Sequence, residues 1–255
     1  MLTKKDLARI AELRKKASER RKEGRYLIEG EKLFSECPES GVREIYITKK
    51  AMSGAVREKA EALMDRVRFE IVSEEEFSRI SDTDTPQGIM AVLEMKREDR
   101  ETFFREGLYV FLEGVQDPGN VGTIVRSSEA AGACGVVLDR NSADLYNPKT
   151  IRSTMGSIFR VRCLQTEDLG ETIREFRTLG GTVRASALTG SIPYTEARYQ
   201  GLNAIIIGNE SKGVKPETIA LSDETIAIPM EGRVESLNAA MAASILLYEA
   251  KRQRG

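Results

Sequence analysis

The stretch Leu202 to Ile207, LNAIII, limits the fold more than any other part of the chain. So apolar a run has no polar face to offer water. As a strand it needs cover on both sides, which is the situation of a central strand in a parallel sheet. Other short runs fit beside it: Leu108 to Leu112, Gly135 to Leu138, Val161 to Leu164, Thr182 to Ser186 and Ile226 to Ile228. Between them lie stretches with helical character, Thr123 to Ala131, Leu169 to Leu179, and an Ala-rich Leu237 to Lys251 for which Ser236 is the expected cap. The alternation predicts an α/β second domain, a mostly parallel sheet flanked by helices.

The first part of the chain reads as a smaller α/β domain. Tyr26 to Ile28, Glu44 to Ile47, Arg68 to Val72 and Ile89 to Leu93 have strand character; Glu31 to Glu36, Ala55 to Arg66 and Glu74 to Ile80 have helix character. Residues 1–25 carry ten Lys or Arg against four acids, with Leu7, Ile10, Leu13 and Ala17 near helical spacing. A single basic amphipathic helix is expected there, docked on the body or reaching for phosphates. The first hundred residues together hold 22 bases and 21 acids, so a neutral body sits behind a basic arm. Lys96 to Gly107 is almost wholly polar and charged apart from Phe103 and Phe104 and reads as a linker. The expected division is therefore 1–95, a linker 96–107, and 108–255.

Several chemistries are excluded by composition. The chain has no histidine, which removes a His general base, a Ser-His-Asp triad and every His-ligated metal. Its three cysteines, Cys37, Cys134 and Cys163, are odd in number and far apart, which argues against a disulfide framework or a Cys-based metal site and suits a reducing cytoplasm. No apolar run reaches membrane-spanning length. The net charge of −1 means that any nucleic-acid surface must be local.

Three loops leave the carboxyl ends of strands in the second domain, the edge where open α/β sheets bind ligands. The first, Gly114 to Gly122, invites a dinucleotide-binding reading and hence an oxidoreductase. Its glycines do not fit: there is no G-x-G-x-x-G, and Asp117-Pro118 stands where amides would cradle a pyrophosphate. The second is Gly208-Asn209-Glu210-Ser211-Lys212-Gly213. The third follows Ile228-Pro229-Met230 and leads through Ser236-Leu237-Asn238 into the Ala-rich helix. Taken alone, each loop has an ordinary reading: a salt-bridged surface arginine at Arg126, a Gly-bracketed turn at Glu210, a capping Asn at Asn238.

Together, and in this order, the loops resemble the three motifs of the SpoU/TrmH family of RNA ribose 2'-O-methyltransferases. The first is matched by Asp117, Pro118, Asn120, Gly122 and Arg126, the second by Gly208, Glu210 and Gly213, the third by Ile228-Pro229-Met230 and Ser236-Leu237-Asn238. Ala239-Ala240 departs from the Val and Ser of many relatives. Tyr26 to Gly30 and Thr85 to Gly88 resemble the substrate-binding domain that precedes the catalytic domain in that family. Asn147 to Ser157 resembles a segment on the family's RNA-facing side.

The resemblance implies S-adenosylmethionine as cofactor, bound in a trefoil-knotted sheet against Ala187, Leu188, Gly208, Ile228, Met230 and Leu237, with no metal. It implies transfer of a methyl group to a ribose 2'-hydroxyl of RNA, ribosomal RNA first because of the N-terminal domain, with Arg126 activating that hydroxyl. Asn120, Glu210, Ser236 and Asn238 would orient Arg126 and the ribose. Because a guanidinium is permanently protonated, a bidentate hold on the neighbouring phosphate is the alternative role for Arg126. The resemblance also implies a cytoplasmic homodimer joined through the second domain. Transfer RNA as substrate, and a non-catalytic RNA-binding or assembly factor on the same fold, are the competing readings.

Overall fold

A computed structural model of the protein describes residues 2–255 except 189 and 235, so Thr189 and Glu235 lie outside the described residues. In chain order the elements of the first part are α1 (Lys4–Lys15), α2 (Ala17–Glu23), β1 (Arg25–Glu29), α3 (Glu31–Glu36), β2 (Val42–Thr48), α4 (Arg57–Leu63), β3 (Arg68–Val72), α5 (Glu74–Ile80) and β4 (Ile89–Glu94). There follow β5 (Gly107–Leu112), α6 (Pro118–Ala130), β6 (Gly135–Asp139), α7 (Pro148–Thr154), β7 (Cys163–Thr166) and α8 (Leu169–Thr178). The last are β8 (Thr182–Ser186), β9 (Ile192–Pro193), β10 (Leu202–Ile207), α9 (Pro216–Ile219), β11 (Glu224–Ala227) and α10 (Ala239–Arg254). They form two compact units, Met1–Lys96 with Asp144–Phe159, and Arg97–Ala143 with Arg160–Gly255.

In the first unit the sheet order is β1-β4-β2-β3. Strand β4 runs antiparallel to β1 and β2, and β2 and β3 are parallel. Ile10 and Leu13 of α1 and Phe77 and Ile80 of α5 join Leu27, Tyr46 and Val92 in its core. The expected single N-terminal helix is two. The chain leaves helical geometry at Lys16 (φ −116°, ψ 117°). The break is sealed from four residues on. Arg20 is buried, and its guanidinium donates to the Leu13 and Arg14 carbonyls that the end of α1 leaves open. Its other face meets the Asp144 carboxylate, with Nε to Oδ2 at 2.8 Å.

Asp144 introduces a second departure. The stretch Asp144–Phe159, expected within the second domain, belongs to the first unit. Besides the Arg20 pair, the Tyr146 ring lies 4.6 Å from that of Tyr26, centroid to centroid, and Arg152 reaches Asp82. A sequence reading places the stretch by its neighbours along the chain and has no access to these contacts.

The second unit is built on a seven-stranded sheet of order β7-β6-β5-β10-β8-β11-β9, parallel throughout. Strand β10 lies between β5 and β8, the interior place its composition demands, and Ala204 to Ile207 are all buried. On one face Tyr109, Phe111, Val183 and Ile206 pack with Phe176 of α8. Phe103, from the stretch expected to be a linker, is fully buried in the same cluster, and its carbonyl accepts the Tyr109 hydroxyl at 3.0 Å. From Arg97 onward that stretch is part of the second unit. Because all seven strands point the same way, the ends of β5, β8, β10 and β11 share one edge.

Candidate active site

At that edge α6 begins earlier than the sequence indicates. Asp117 is its N-cap, accepting the Asn120 N–H at 3.0 Å, and Pro118 sits in the first turn, where its missing N–H costs nothing. The motif residues Pro118, Asn120 and Gly122 thus belong to a helix, and Asn120 is held in its first turn with its side chain facing two other loops. Asn120 Nδ2 donates to Glu210 Oε1 at 2.9 Å. Asn120 Oδ1 accepts from Asn238 Nδ2 at 3.0 Å.

Asn238 performs the capping that was expected of Ser236. Its Oδ1 accepts the N–H groups of Ala240, at 2.9 Å, and Met241, at 3.3 Å, and α10 starts at Ala239. With its oxygen occupied by the helix end, its amide is left to donate to Asn120. The three motifs therefore meet in one chain of side chains, Asn238 to Asn120 to Glu210. Partial burial pushes the Glu210 carboxyl up, but the Asn120 amide and the backbone N–H groups of Glu210, Gln116 and Asp117 outweigh it, leaving it below the ordinary Glu value. Glu210 is thus an ionised acceptor at neutral pH.

Arg126 is not part of this chain. It lies exposed on α6, and among the described residues it has no hydrogen-bond or ion-pair partner. The expected approach to Asn120 fails on helix geometry: six residues at ~100° each set the two side chains on different faces. Ser236 is also outside the network.

Beside Glu210 a cavity of about 420 Å³ opens. Ala187, Leu188, Gly208, Ile228, Met230 and Leu237 all line it, as do Glu210 and Ser236. Asn120, Arg126 and Asn238 do not. The sequence reading missed Lys212, Val214, Ile219, Ala242 and Leu246 on its walls. Lys212, inside the Gly-bracketed loop, was open to discovery; Ile219 and Leu246 carry no local sign of their position. Gly208 is required by the loop itself. A Cβ there would meet the Gly213 carbonyl carbon and the Val214 nitrogen at 2.2 Å, so glycine lets the loop fold back on itself.

The chemistry of this lining fits S-adenosylmethionine. The volume falls within the roughly 300–1,000 Å³ range of small-molecule sites. Ile226, Ile228, Leu237 and Leu246 offer apolar cover for a flat ring, and Glu210, Ser236 and Lys212 supply polar groups for an amino-acid end.

Comparison with known proteins gives the same direction. Residues 107–248 match the sequence model of the SpoU rRNA Methylase family, and residues 4–91 match that of the MRM3-like substrate binding domain. The chain is 36% identical over 232 residues to the 23S rRNA (guanosine(2553)-2'-O)-methyltransferase RlmP of Bacillus subtilis, covering 90% of each. Among solved structures it resembles the SpoU methyltransferase AviRb of Streptomyces viridochromogenes in complex with AdoMet. There the TM-score is 0.88 and the identity 27%, over 99% of this chain and 98% of that one. The AdoMet-bound rRNA methyltransferase of Sinorhizobium meliloti aligns with a TM-score of 0.87 at 30% identity, over 99% and 96% of the two chains.

Proposed function

The chain belongs to the SpoU rRNA methylase family, and on that footing we propose that it transfers a methyl group from S-adenosylmethionine to a ribose 2'-hydroxyl of ribosomal RNA. The observation that carries this reading is the cavity at the carboxyl edge of the parallel sheet, lined by all six residues that the family resemblance assigns to the cofactor. Bound there, S-adenosylmethionine would supply both the activated methyl group and a neutral thioether leaving group. The protein's part is to hold, orient and exclude water.

Gly208, Ile228, Met230 and Leu237 would hold the cofactor through backbone and apolar contact. The Asn238–Asn120–Glu210 chain keeps the three loops in register, and its members act as positioning residues. Arg126, exposed and without a partner among the described residues, is available for an RNA phosphate. A bidentate guanidinium contact there would fix the ribose and stabilise the alkoxide as its charge develops.

Three further expectations go with the proposal. The second unit is knotted around the cofactor loops. The protein is a homodimer, supported by α10, which leaves Met241 and Tyr248 more than half exposed. It acts in the cytoplasm; among the described residues no helix is long and apolar enough to cross a membrane. Ribosomal RNA is preferred over transfer RNA because the Bacillus subtilis and Sinorhizobium meliloti relatives are named as rRNA methyltransferases and residues 4–91 match the MRM3-like substrate binding domain.

The test is methyl transfer from labelled S-adenosylmethionine to purified ribosomal and transfer RNA, followed by mapping of 2'-O-methyl positions in cells with and without the protein. A single ribosomal site is the expected result. Cofactor binding without transfer to either RNA would favour the assembly-factor reading.

A further inference from the structure

Glu113 directly follows β5 and has no part in the family motifs, yet it is a carboxylate only 3% exposed. Oε2 accepts the Lys215 backbone N–H at 2.8 Å, and Oε1 accepts the hydroxyl of buried Thr218 at 2.6 Å. The Lys215 ammonium lies 3.6 Å away and is half exposed. The neighbouring Gly114 carbonyl accepts Asn209 Nδ2 at 2.8 Å. Residues 113 and 114 therefore grip both ends of the excursion that leaves β10.

That excursion forms one wall of the cavity, through Gly213, Val214 and Ile219. Its near end is closed by reciprocal backbone bonds between Asn209 and Gly213. Its far end is held differently. Among the described residues, the hydrogen bonds that reach residues 214–219 from outside the excursion are those to Glu113. Burying a carboxylate is costly, and an apolar side chain would fill the space without that cost. The two acceptor oxygens match two donors three residues apart on the wall.

We infer that Glu113 is a positioning residue for cofactor binding, fixing the 214–219 wall without touching the cofactor itself. The inference rests on the proposed S-adenosylmethionine site. Losing the clamp frees the wall, so the cavity must be re-formed at each binding event and affinity falls.

The test uses the full chain and five variants: Glu113→Ala, Glu113→Gln, Thr218→Val, the double variant Glu113→Ala with Thr218→Val, and Lys215→Met. Calorimetry gives Kd for S-adenosylmethionine and its demethylated product; kinetics give kcat and KM. Glu113→Ala and Thr218→Val should each weaken cofactor binding about tenfold, the equivalent of one charge-assisted hydrogen bond. The double variant should be no weaker than Glu113→Ala, because both remove one coupled clamp. Glu113→Gln should stay close to wild type, since its amide oxygen still accepts the Lys215 N–H and the Thr218 hydroxyl can turn to accept. Lys215→Met should also stay close, because it is the backbone N–H that is held.

A role in stability alone would lower the melting temperature and leave KM for the cofactor unchanged, and that result overturns the inference. Should Glu113→Ala not fold, Thr218→Val decides: wild-type cofactor affinity in that variant overturns it equally. Wild-type protein that binds no S-adenosylmethionine is a separate outcome, refuting the proposed function itself.

Discussion

Asn120 and Asn238 stand 118 positions apart in the chain and share a hydrogen bond of 3.0 Å, Nδ2 of the second to Oδ1 of the first. Each has both ends of its amide occupied. Asn120 donates onward to Glu210 and Asn238 accepts from the first turn of α10. Neither amide can be flipped without placing donor against donor, so the network has one direction. It ties a helix start, a strand-end loop and a second helix start around one wall of the cavity.

Asn120→Asp should therefore do more harm than Asn120→Ala. Aspartate matches the shape but sets a second negative charge against ionised Glu210 and removes the donor. Alanine loses two partly exposed hydrogen bonds, worth about 1 kcal/mol or less of stability in total. Methyl-transfer rates and thermal melts of both variants check the order. Equal behaviour would mean that the amide's direction is unimportant.

Arg20→Ala should destabilise the first unit by about 3 kcal/mol, because it strands the Asp144 carboxylate and two helix-end carbonyls in a buried setting. Urea unfolding measures it. Lys22→Ala is the control: its side chain is largely exposed, with a surface pair to Glu19, and should change stability by less than about 0.5 kcal/mol.

These two features show what could be read from the chain and what could not. The strand β10 was legible because its composition forbids a wet face. The cap of α10 was not. Ser236 and Asn238 are both good caps by residue type, and the choice between them is reinforced by Asn120 from far along the chain. The break at Lys16 is hidden for the same reason: the apolar spacing runs through it unchanged, and the buried Arg20–Asp144 pair that accompanies it is remote in sequence. The residues of the motifs were found by pattern. Their division into a network of Asn120, Glu210 and Asn238, a cavity lining that includes Ser236, and a separate Arg126 needed coordinates.

Glu249 gives a pH signature. Hydrogen bonds from Arg252 and Gln253 hold its carboxyl at about 2, against an ordinary 4.5. A carboxyl depressed in the folded state contributes stability that is whole above pH 4.5 and is lost as pH falls towards 2. The melting-temperature gap between wild type and Glu249→Gln should thus be open at pH 6 and close between pH 4.5 and pH 2. A gap independent of pH would show that the contacts do not depend on the charge.

The basic arm is narrower than its composition indicates. Arg9, Arg14, Arg20 and Arg25 are engaged by acids or carbonyls of the unit itself. Lys4, Lys5, Lys15 and Arg21 stay exposed without such partners among the described residues. Changing those four to Gln should flatten the salt dependence of RNA binding by roughly 0.7 to 0.9 of a log unit per lost phosphate contact, with folding intact. An unchanged slope would make the arm a structural element only.

Arg126 carries the most consequential prediction. Exposed on a helix whose other face packs in the core, it has no internal partner to lose among the described residues, so Arg126→Ala should leave the melting temperature and cofactor affinity within error of wild type. If its guanidinium holds the phosphate beside the reacting ribose, removal should cut kcat by about 10²–10³, the usual loss for one donor aimed at developing negative charge. Arg126→Lys separates the two forms that role can take. Lysine keeps the charge and loses the planar fork, so bidentate holding predicts a loss nearly as deep, whereas a simple electrostatic role predicts recovery of most activity. Near-normal methyl transfer in Arg126→Ala would return this residue to an ordinary surface arginine and leave activation of the hydroxyl to the RNA or to a partner copy of the chain.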